Sequence, residues 1–146
     1  MTFYIAAFVF VLDRLTKIIV VNNIFLGQSI KIIPNIFYLT LILNNGAAFG
    51  LLKNNNPLFV SVSVFVIAFI VAYVWSHGKK YGTLPLALGL ILGGALGNLF
   101  DRVRFGHVID FLDCRIWPVF NIADSSITIG IIILVYNMLT RKKTLR

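Results

Sequence analysis

Residues 84–113 read LPLALGLILGGALGNLFDRVRFGHVIDFLD and decide the fold of this chain. The stretch begins as an apolar run whose glycines recur every four residues, a spacing that lets helices approach closely in lipid. It then becomes polar at Asp101 and Arg102, and a further carboxylate, Asp110, follows between large apolar side chains. A carboxylate close to lipid is expensive and is usually retained for a function. The stretch therefore predicts a membrane helix that leads directly into a functional site.

Composition extends this prediction to the whole chain. Of 146 residues, 59% are hydrophobic and 12% are charged, whereas soluble domains carry about 25% charged residues. Four apolar segments approach the roughly 20 residues that a helix needs to cross about 30 Å of hydrocarbon. We predict an all-α membrane protein with four transmembrane helices in a single domain, residues 1–146. The predicted helices are 3–21, 58–76, 84–101 and 124–140.

The first predicted helix carries charges inside its apolar run. No basic stretch precedes it and no small-residue cleavage site follows, so we expect a retained helix rather than a cleaved signal peptide. Asp13 and Lys17 are spaced i,i+4 and share a face, with Arg14 beside them. Such a set should be mutually neutralised and turned toward the other helices. Two interpretations stay open, a structural ion pair and direct contact with a substrate.

Lysine and arginine counts predict the orientation in the membrane. Segments 77–83 and 141–146 hold six basic residues, while the much longer segments 22–57 and 101–124 hold five. Short loops rich in Lys and Arg stay inside the cell, so both termini are predicted to be cytoplasmic. The net charge of +8 is explained by anionic membrane lipids, and no nucleic-acid partner is expected.

The segment 28–50 differs from its apolar flanks. Residues 36–43 are rich in β-branched and aromatic side chains, between the turn-prone Pro34-Asn35 and Asn44-Asn45-Gly46. The segment is too short and too interrupted to span the membrane as a helix. We predict a small external β-sheet, a cradle that lies at the membrane surface.

Two of the five aspartates, Asp110 and Asp124, are candidate catalytic residues. Asn121 and Asp124 lie three residues apart at the start of the fourth helix, where capping would explain one acid but would not explain Asp110. Two carboxylates brought together in a poorly solvated site share one proton. One then acts as general base on a water while the other polarises an amide carbonyl, which requires no metal or cofactor. Asp101 and Arg102 are expected to brace one another or their neighbours through charge-assisted hydrogen bonds, and Asp113 to be solvated or to have a capping role.

Five blocks of the chain, taken in order, resemble the bacterial lipoprotein signal peptidases, also called signal peptidase II, a family of aspartyl membrane peptidases. The blocks are Asp13-Arg14-x-Thr16-Lys17, Asn44-x-Gly46-Ala47-Ala48-Phe49, Gly93-Gly94-Ala95-x-Gly97-Asn98-x-x-Asp101-Arg102, Val108-x-Asp110-Phe111 and Phe120-Asn121-x-Ala123-Asp124-x-x-Ile127.

The resemblance implies a monomeric, multi-pass enzyme of the bacterial cytoplasmic (inner) membrane. Its external cradle would hold a lipidated prolipoprotein, and its aspartyl dyad, facing the outer leaflet, would cut before the diacylglyceryl-modified cysteine. Carried onto this chain, the catalytic dyad is Asp110 and Asp124, with a connecting loop that is short for the family. The residues implied to bind substrate or support the dyad are Asn44, Gly46, Asn98, Asp101, Arg102, Asn121, Asp13 and Lys17.

Two other functions compete with a peptidase. Gly106-x-x-x-Asp110-x-x-Asp113 faintly resembles the metal-binding half of CDP-alcohol phosphatidyltransferases, membrane enzymes whose carboxylates converge on Mg²⁺ or Mn²⁺. The upstream Asp-x-x-Asp-Gly portion of that motif is missing. A channel, carrier or assembly factor with a proton relay is the non-enzymatic alternative. It offers no reason for the motifs around Asn44 and Asn121.

Overall fold

A computed structural model describes residues 1–46, 55–77 and 82–141. The predictions for Ala47, Ala48 and Phe49, for Lys79 and Lys80, and for the basic residues after position 141 lie outside these residues. The elements in chain order are α1 Thr2–Asn23, β1 Ser29–Ile33, β2 Phe37–Asn44, α2 Asn56–Ser76, α3 Leu84–Phe105, β3 Val108–Asp113 and α4 Ile122–Arg141.

The helices are longer than predicted because polar residues continue them. α3 runs past the predicted end at residue 101 and stops where Gly106 takes a left-handed conformation, φ 80°. The Gly106 N–H donates to the Arg102 carbonyl at 3.1 Å, which closes the last turn. α4 begins at Ile122, before the predicted start at 124. The added residues at both ends belong to the polar motifs, so these motifs are partly helical.

Among the described residues, three helices are long and apolar enough to cross a membrane. α2, α3 and α4 have spans of mean hydropathy 2.6, 1.5 and 1.8. α1 has 22 residues but carries three charged side chains, so composition alone does not identify it as a span. Two thirds of the α3 span is buried, against 6% of the α2 span. α3 is therefore the central helix and α2 is a peripheral one.

Glycines let α3 pack tightly against α1 and α4. A Cβ atom on Gly93 would lie 2.6 Å from the Ala6 carbonyl oxygen of α1. A Cβ atom on Gly94 would collide with the Ala123 carbonyl oxygen of α4. The absence of side chains at these positions brings α1 and α4 against neighbouring faces of α3, as expected for small residues in lipid-embedded bundles.

The sheet has three antiparallel strands in the order β1-β2-β3. β1 and β2 fall within the predicted cradle, whereas β3 was not predicted as a strand. β3 is buried along almost its whole length, so it lacks the polar–apolar alternation that marks a half-exposed strand in sequence. Leu41, Ile109 and Phe111 pack with Val20 and Ile24 from the end of α1. This cluster fastens the sheet to the helices.

Candidate active site

Asp110 lies in the middle of β3, opposite Ile42 of β2. Its side chain is buried, with 2% of the residue exposed. Asn121 Nδ2 donates to one carboxylate oxygen at 2.7 Å, and Asn44 Nδ2 donates to the other at 2.9 Å. Neighbouring strands and the start of α4 therefore hold both oxygens of this carboxylate.

Asp124 lies in the first turn of α4 and exchanges hydrogen bonds with Asn121. The Asn121 N–H donates to Asp124 Oδ2 at 3.2 Å, and the Asp124 N–H donates to Asn121 Oδ1 at 2.9 Å. This reciprocal pattern is a capping box. Asn98 Nδ2 of α3 donates to the remaining oxygen, Asp124 Oδ1, at 2.7 Å. Asp124 thus caps α4 and also belongs to a polar network, while capping leaves Asp110 unexplained.

Asn121 connects the two aspartates. It is fully buried, and its Nδ2 group lies 2.7 Å from Asp110 Oδ1 and 3.1 Å from Asn98 Oδ1. Its backbone and its side-chain oxygen hold Asp124 as described above. A buried polar group needs such partners, because leaving it unpaired costs about 1–3 kcal/mol. One residue therefore contacts both carboxylates, that of Asp110 through its side chain and that of Asp124 through its backbone N–H.

Both aspartates line one cleft of about 340 Å³. Asn44 and Gly46 line it on one side, and the Gly46 N–H donates to Asn44 Oδ1 at 3.0 Å. The loop after β3 is short, and the sequence left open whether it helps to cover the substrate. Four of its residues nevertheless form part of the cleft wall, which the sequence did not indicate: Trp117, Pro118, Val119 and Phe120.

Arg102 also lines the cleft, and the ion pairs of the described residues include none between it and Asp101, so of the two alternatives Arg102 braces its neighbours. Its guanidinium carbon lies 4.9 Å from the centre of the Phe59 ring, a cation–π arrangement. Its carbonyl oxygen accepts a hydrogen bond from Asn56 Nδ2 at 3.1 Å. Adjacent helical residues point in different directions, so Asp101 faces away from the cleft. Arg102 instead links α3 to the start of α2.

Asp101 belongs to a buried cluster of four charges, the ion quartet, formed by Asp13, Arg14, Lys17 and Asp101. Lys17 Nζ lies 2.9 Å from Asp13 Oδ2 and 2.7 Å from Asp101 Oδ2. Arg14 lies 2.7 Å from Asp101 Oδ1 and 3.2 Å from Asp13 Oδ2. The quartet is neutral overall and does not line the cleft. Of the two interpretations of Asp13 and Lys17, the structure supports the ion pair.

Lys17 joins the ion quartet to the side chains of the cleft network. Lys17 Nζ donates to Asn98 Oδ1 at 3.2 Å, and Asn98 in turn contacts both Asn121 and Asp124. Asn98 therefore connects the Lys17 ammonium group to Asp124 directly and to Asp110 through Asn121. Arg14 is the member that sequence reasoning left without a role. Its position beside Asp13 is the only local signal of its place in the quartet.

Asp113 is buried rather than solvated. It accepts hydrogen bonds from Thr40 Oγ1 at 2.7 Å and from the Arg115 N–H at 2.9 Å. The Arg115 guanidinium also stacks on Tyr38, 3.6 Å from the ring centre. Asp113 therefore caps the turn after β3 and ties it to β2, away from the cleft.

Burial, and after it the negative charge of Asp124, raise the pKa of Asp110 to about 7. Hydrogen bonds from Asn44 and Asn121 and the charge of Lys17 act in the opposite direction. A carboxyl group with such a pKa keeps a proton close to neutral pH, where an ordinary Asp is ionised. The cleft can therefore supply a proton and accept one.

This chain is similar in sequence to a known family and to named relatives. The family described as Signal peptidase (SPase) II matches residues 5–140. The lipoprotein signal peptidase of Pelotomaculum thermopropionicum is 47% identical over 137 residues, 94% of this chain and 90% of the relative. That of Halothermothrix orenii is 44% identical over 143 residues, 98% of each chain.

Two solved structures have the same fold as this chain. A bacterial membrane enzyme determined by the in meso method superposes with a TM-score of 0.93 at 34% identity, covering 99% of this chain and 91% of that one. A second structure described in the same words has a TM-score of 0.85 at 36% identity, covering 94% and 92%. The resemblance seen in five sequence blocks is confirmed over nearly the full length, and the chain belongs to the signal peptidase II family.

Proposed function

We propose that this chain is the membrane aspartyl endopeptidase that removes the signal peptide from diacylglyceryl-modified bacterial prolipoproteins, cutting on the amino-terminal side of the lipidated cysteine. Membership of the signal peptidase II family supports this function. The observation that carries the mechanism is the contact of Asn121 with both Asp110 and Asp124 in one cleft. Neither relative described above is a phosphotransferase, so that alternative has no support.

In the proposed reaction the two carboxyl groups share one proton. Asp110 holds it in the resting enzyme, because its pKa is raised to about 7. The ionised partner, Asp124, removes a proton from a water whose oxygen attacks the scissile carbonyl carbon, while the proton on Asp110 passes to the carbonyl oxygen. The tetrahedral intermediate then collapses: Asp124 gives the proton that it took from water to the leaving nitrogen, the C–N bond breaks, and a hydroxyl of the intermediate returns its proton to Asp110. The carboxyls are left ready to share a proton again.

The membrane arrangement is also part of the proposal. We place four helices across the bacterial cytoplasmic membrane as one domain, residues 1–146, with both termini in the cytoplasm and the cleft toward the outer leaflet. α1 can also cross the membrane, because its charged side chains are paired within the ion quartet. The side chains it exposes are large and apolar, including Phe8, Val11, Leu15, Ile18 and Ile19.

Lipid contact and a monomeric state fit this arrangement. Exposed isoleucines on and beside β1 give the sheet an apolar surface, which suits a cradle resting against membrane lipid. The substrate is itself anchored by acyl chains, so it reaches the cleft from the same surface. Each residue assigned to the dyad and its network comes from one chain, so a monomer supplies the complete set.

The function is tested with purified protein in liposomes and a synthetic precursor that carries a diacylglyceryl cysteine. Mass spectrometry should detect cleavage immediately before the modified cysteine, and EDTA should leave the rate unchanged. The unlipidated precursor is the matched control and should be cleaved poorly. Absence of cleavage, or EDTA-sensitive transfer of a phosphoalcohol group to lipid, would contradict the proposal.

The pH dependence follows from Asp110. Because its pKa is about 7 in the folded protein and about 3.9 in an unfolded chain, the folded state retains a proton between these values. The stabilisation from this group is present at acid pH and is lost as the pH rises through the folded pKa. The cleavage rate should fall over the same rise, since the proton that polarises the carbonyl is lost. A pH–rate profile that stays flat through neutrality would contradict the assignment.

Gly97→Ala should disturb the ion quartet. The added Cβ would lie 2.6 Å from Asp13 Oδ2, so the carboxylate must move. Overpacking of this kind costs about 1–3 kcal/mol, and the melting temperature should fall. Because Asp13 also accepts a hydrogen bond from the α4 start, the kcat of the folded fraction should fall as well.

Gly130→Ala is the matched control for Gly97→Ala. Its Cβ would meet Ile91 Cγ1 at 2.7 Å and the Ala87 carbonyl oxygen at 2.8 Å, an equally crowded contact between α3 and α4. This variant should lose stability while its folded fraction keeps the parent kcat. Equal kcat values for the two variants would show that Gly97 serves packing alone.

A further inference from the structure

The backbone before each active-site aspartate is bound by the ion quartet. The N–H of Ile109, the residue before Asp110, donates to Asp101 Oδ2 at 3.2 Å. The N–H of Ala123, the residue before Asp124, donates to Asp13 Oδ1 at 3.1 Å. Ile109 and Ala123 are both fully or almost fully buried. Each carboxylate of the quartet thus holds the peptide on which one member of the dyad is mounted.

Arg14 joins these two carboxylates through separate nitrogen atoms. One terminal nitrogen lies 2.7 Å from Asp101 Oδ1, and the other lies 3.2 Å from Asp13 Oδ2. A guanidinium is planar and always charged, so its two ends can hold two carboxylates at a set separation. The Phe100 ring lies against it, 4.8 Å from ring centre to guanidinium carbon. Its contacts thus keep the guanidinium in one orientation.

Arg14 has no place in the cleft itself. It lines a separate cavity of about 480 Å³, whose other walls include Phe10, Ile18 and Phe105. Lys17 contacts the same two carboxylates and also reaches Asn98. The two cations therefore differ, since Lys17 touches the cleft network directly while Arg14 reaches it only through Asp13 and Asp101.

We propose that Arg14 is a positioning residue for peptide cleavage, which sets the separation of the two active-site aspartates by bridging the carboxylates that bind the Ile109 and Ala123 amides. The inference rests on the proposed function. Without Arg14, the two quartet carboxylates share only Lys17 and repel one another, so the amides that they hold move. A displacement of about 1 Å at a reacting group can reduce the rate about 10²-fold.

The test compares Arg14→Met and Arg14→Lys in the purified enzyme with the lipidated precursor. Arg14→Met should lower kcat about 10- to 100-fold and leave KM close to the parent value, because Arg14 does not line the cleft. Removing this positive charge should also move the pH–rate profile toward higher pH, since it favours the protonated carboxyl groups. Arg14→Lys keeps the charge but bridges poorly. It should keep the parent pH profile and recover only part of kcat.

Arg104→Met is the matched control, because Arg104 is an exposed arginine near the end of α3. It should leave kcat, KM and the pH profile at parent values. The proposal is overturned if the folded fraction of Arg14→Met keeps the parent kcat and pH profile, whatever its melting temperature, because Arg14 would then be purely structural. If Arg14→Met does not fold, Arg14→Lys decides, and full kcat in that variant overturns the bridging role. Cleavage by the parent protein establishes the proposed function separately.

Discussion

Asp110→Asn and Asp124→Asn, made separately, are expected to abolish cleavage of the lipidated precursor. Residues that act as a unit in catalysis typically cost about 10⁴-fold or more in kcat when either is removed. The amide keeps the size of each side chain but can neither accept the proton of the attacking water as a base nor donate one as a carboxylic acid. The rate is measured by single-turnover mass spectrometry on protein that elutes as one folded species.

Folding of the two variants should be preserved, because the amide keeps the shape of the carboxylate and one of its two acceptor oxygens, so each variant loses a single hydrogen bond. Asn121 and Asn44 donate to Asp110, and an amide at that position offers one acceptor in place of two. The difference in melting temperature between Asp110→Asn and the parent should shift in favour of the variant as the pH rises through about 7, where the parent must bury a charge.

Asp113→Asn is the control that separates the dyad from its neighbours. Asp113 lies on the same strand but binds Thr40 and Arg115 outside the cleft. This variant should keep much of the parent activity while losing some stability. Substantial turnover by either dyad variant would remove that residue from the catalytic assignment, and inactivity of Asp113→Asn would extend the site beyond the cleft.

Lys17→Met is expected to have the largest effect on stability. It leaves Asp13 and Asp101 completely buried with Arg14 as their remaining cation. Removing one partner from a buried ion pair costs about 3–5 kcal/mol, because an uncompensated charge stays inside. Methionine has similar length and is apolar, so the loss reports charge rather than volume. The melting temperature in detergent should fall well below that of the parent.

Lys31→Met is the matched control for Lys17→Met. Lys31 lies on β1 with its side chain exposed, and surface charges contribute about 0–1 kcal/mol. Its melting temperature should stay near the parent value. If Lys17→Met and Lys31→Met have the same melting temperature, the ion quartet does not hold α1 against α3. The support that the quartet is proposed to give the dyad would then be contradicted as well.

Local signals in the sequence were sufficient to place the helices. Hydropathy and length located the apolar segments of α2, α3 and α4, because lipid demands continuous runs of apolar residues. They were poorer at the ends, since α3 continues from Arg102 to Phe105 beyond its predicted end, and α4 begins at Ile122, before its predicted start. The strand β3 was missed, because a strand buried on both faces has no alternating pattern to reveal it.

The partners of the polar residues were harder to predict. Sequence left open whether Asp101 braces Arg102 or other neighbours, and the structure shows that it binds Arg14, Lys17 and the Ile109 amide. Neighbours in sequence on a helix point in different directions, so adjacency is weak evidence for contact. The i,i+4 spacing of Asp13 and Lys17 was better evidence, and that pair is present.

The sequence by itself determined that this is a membrane protein of the signal peptidase II family, and it singled out Asp110 and Asp124 as the acids to test. These conclusions depend on hydropathy and motif order, which are properties of the chain read locally. Only the tertiary structure decided that Asn121 touches both aspartates and that Asp13 binds an amide 110 positions away. Such contacts depend on how closely α1 and α4 pack against the glycines of α3. This packing requires several segments together and is not encoded in any one of them.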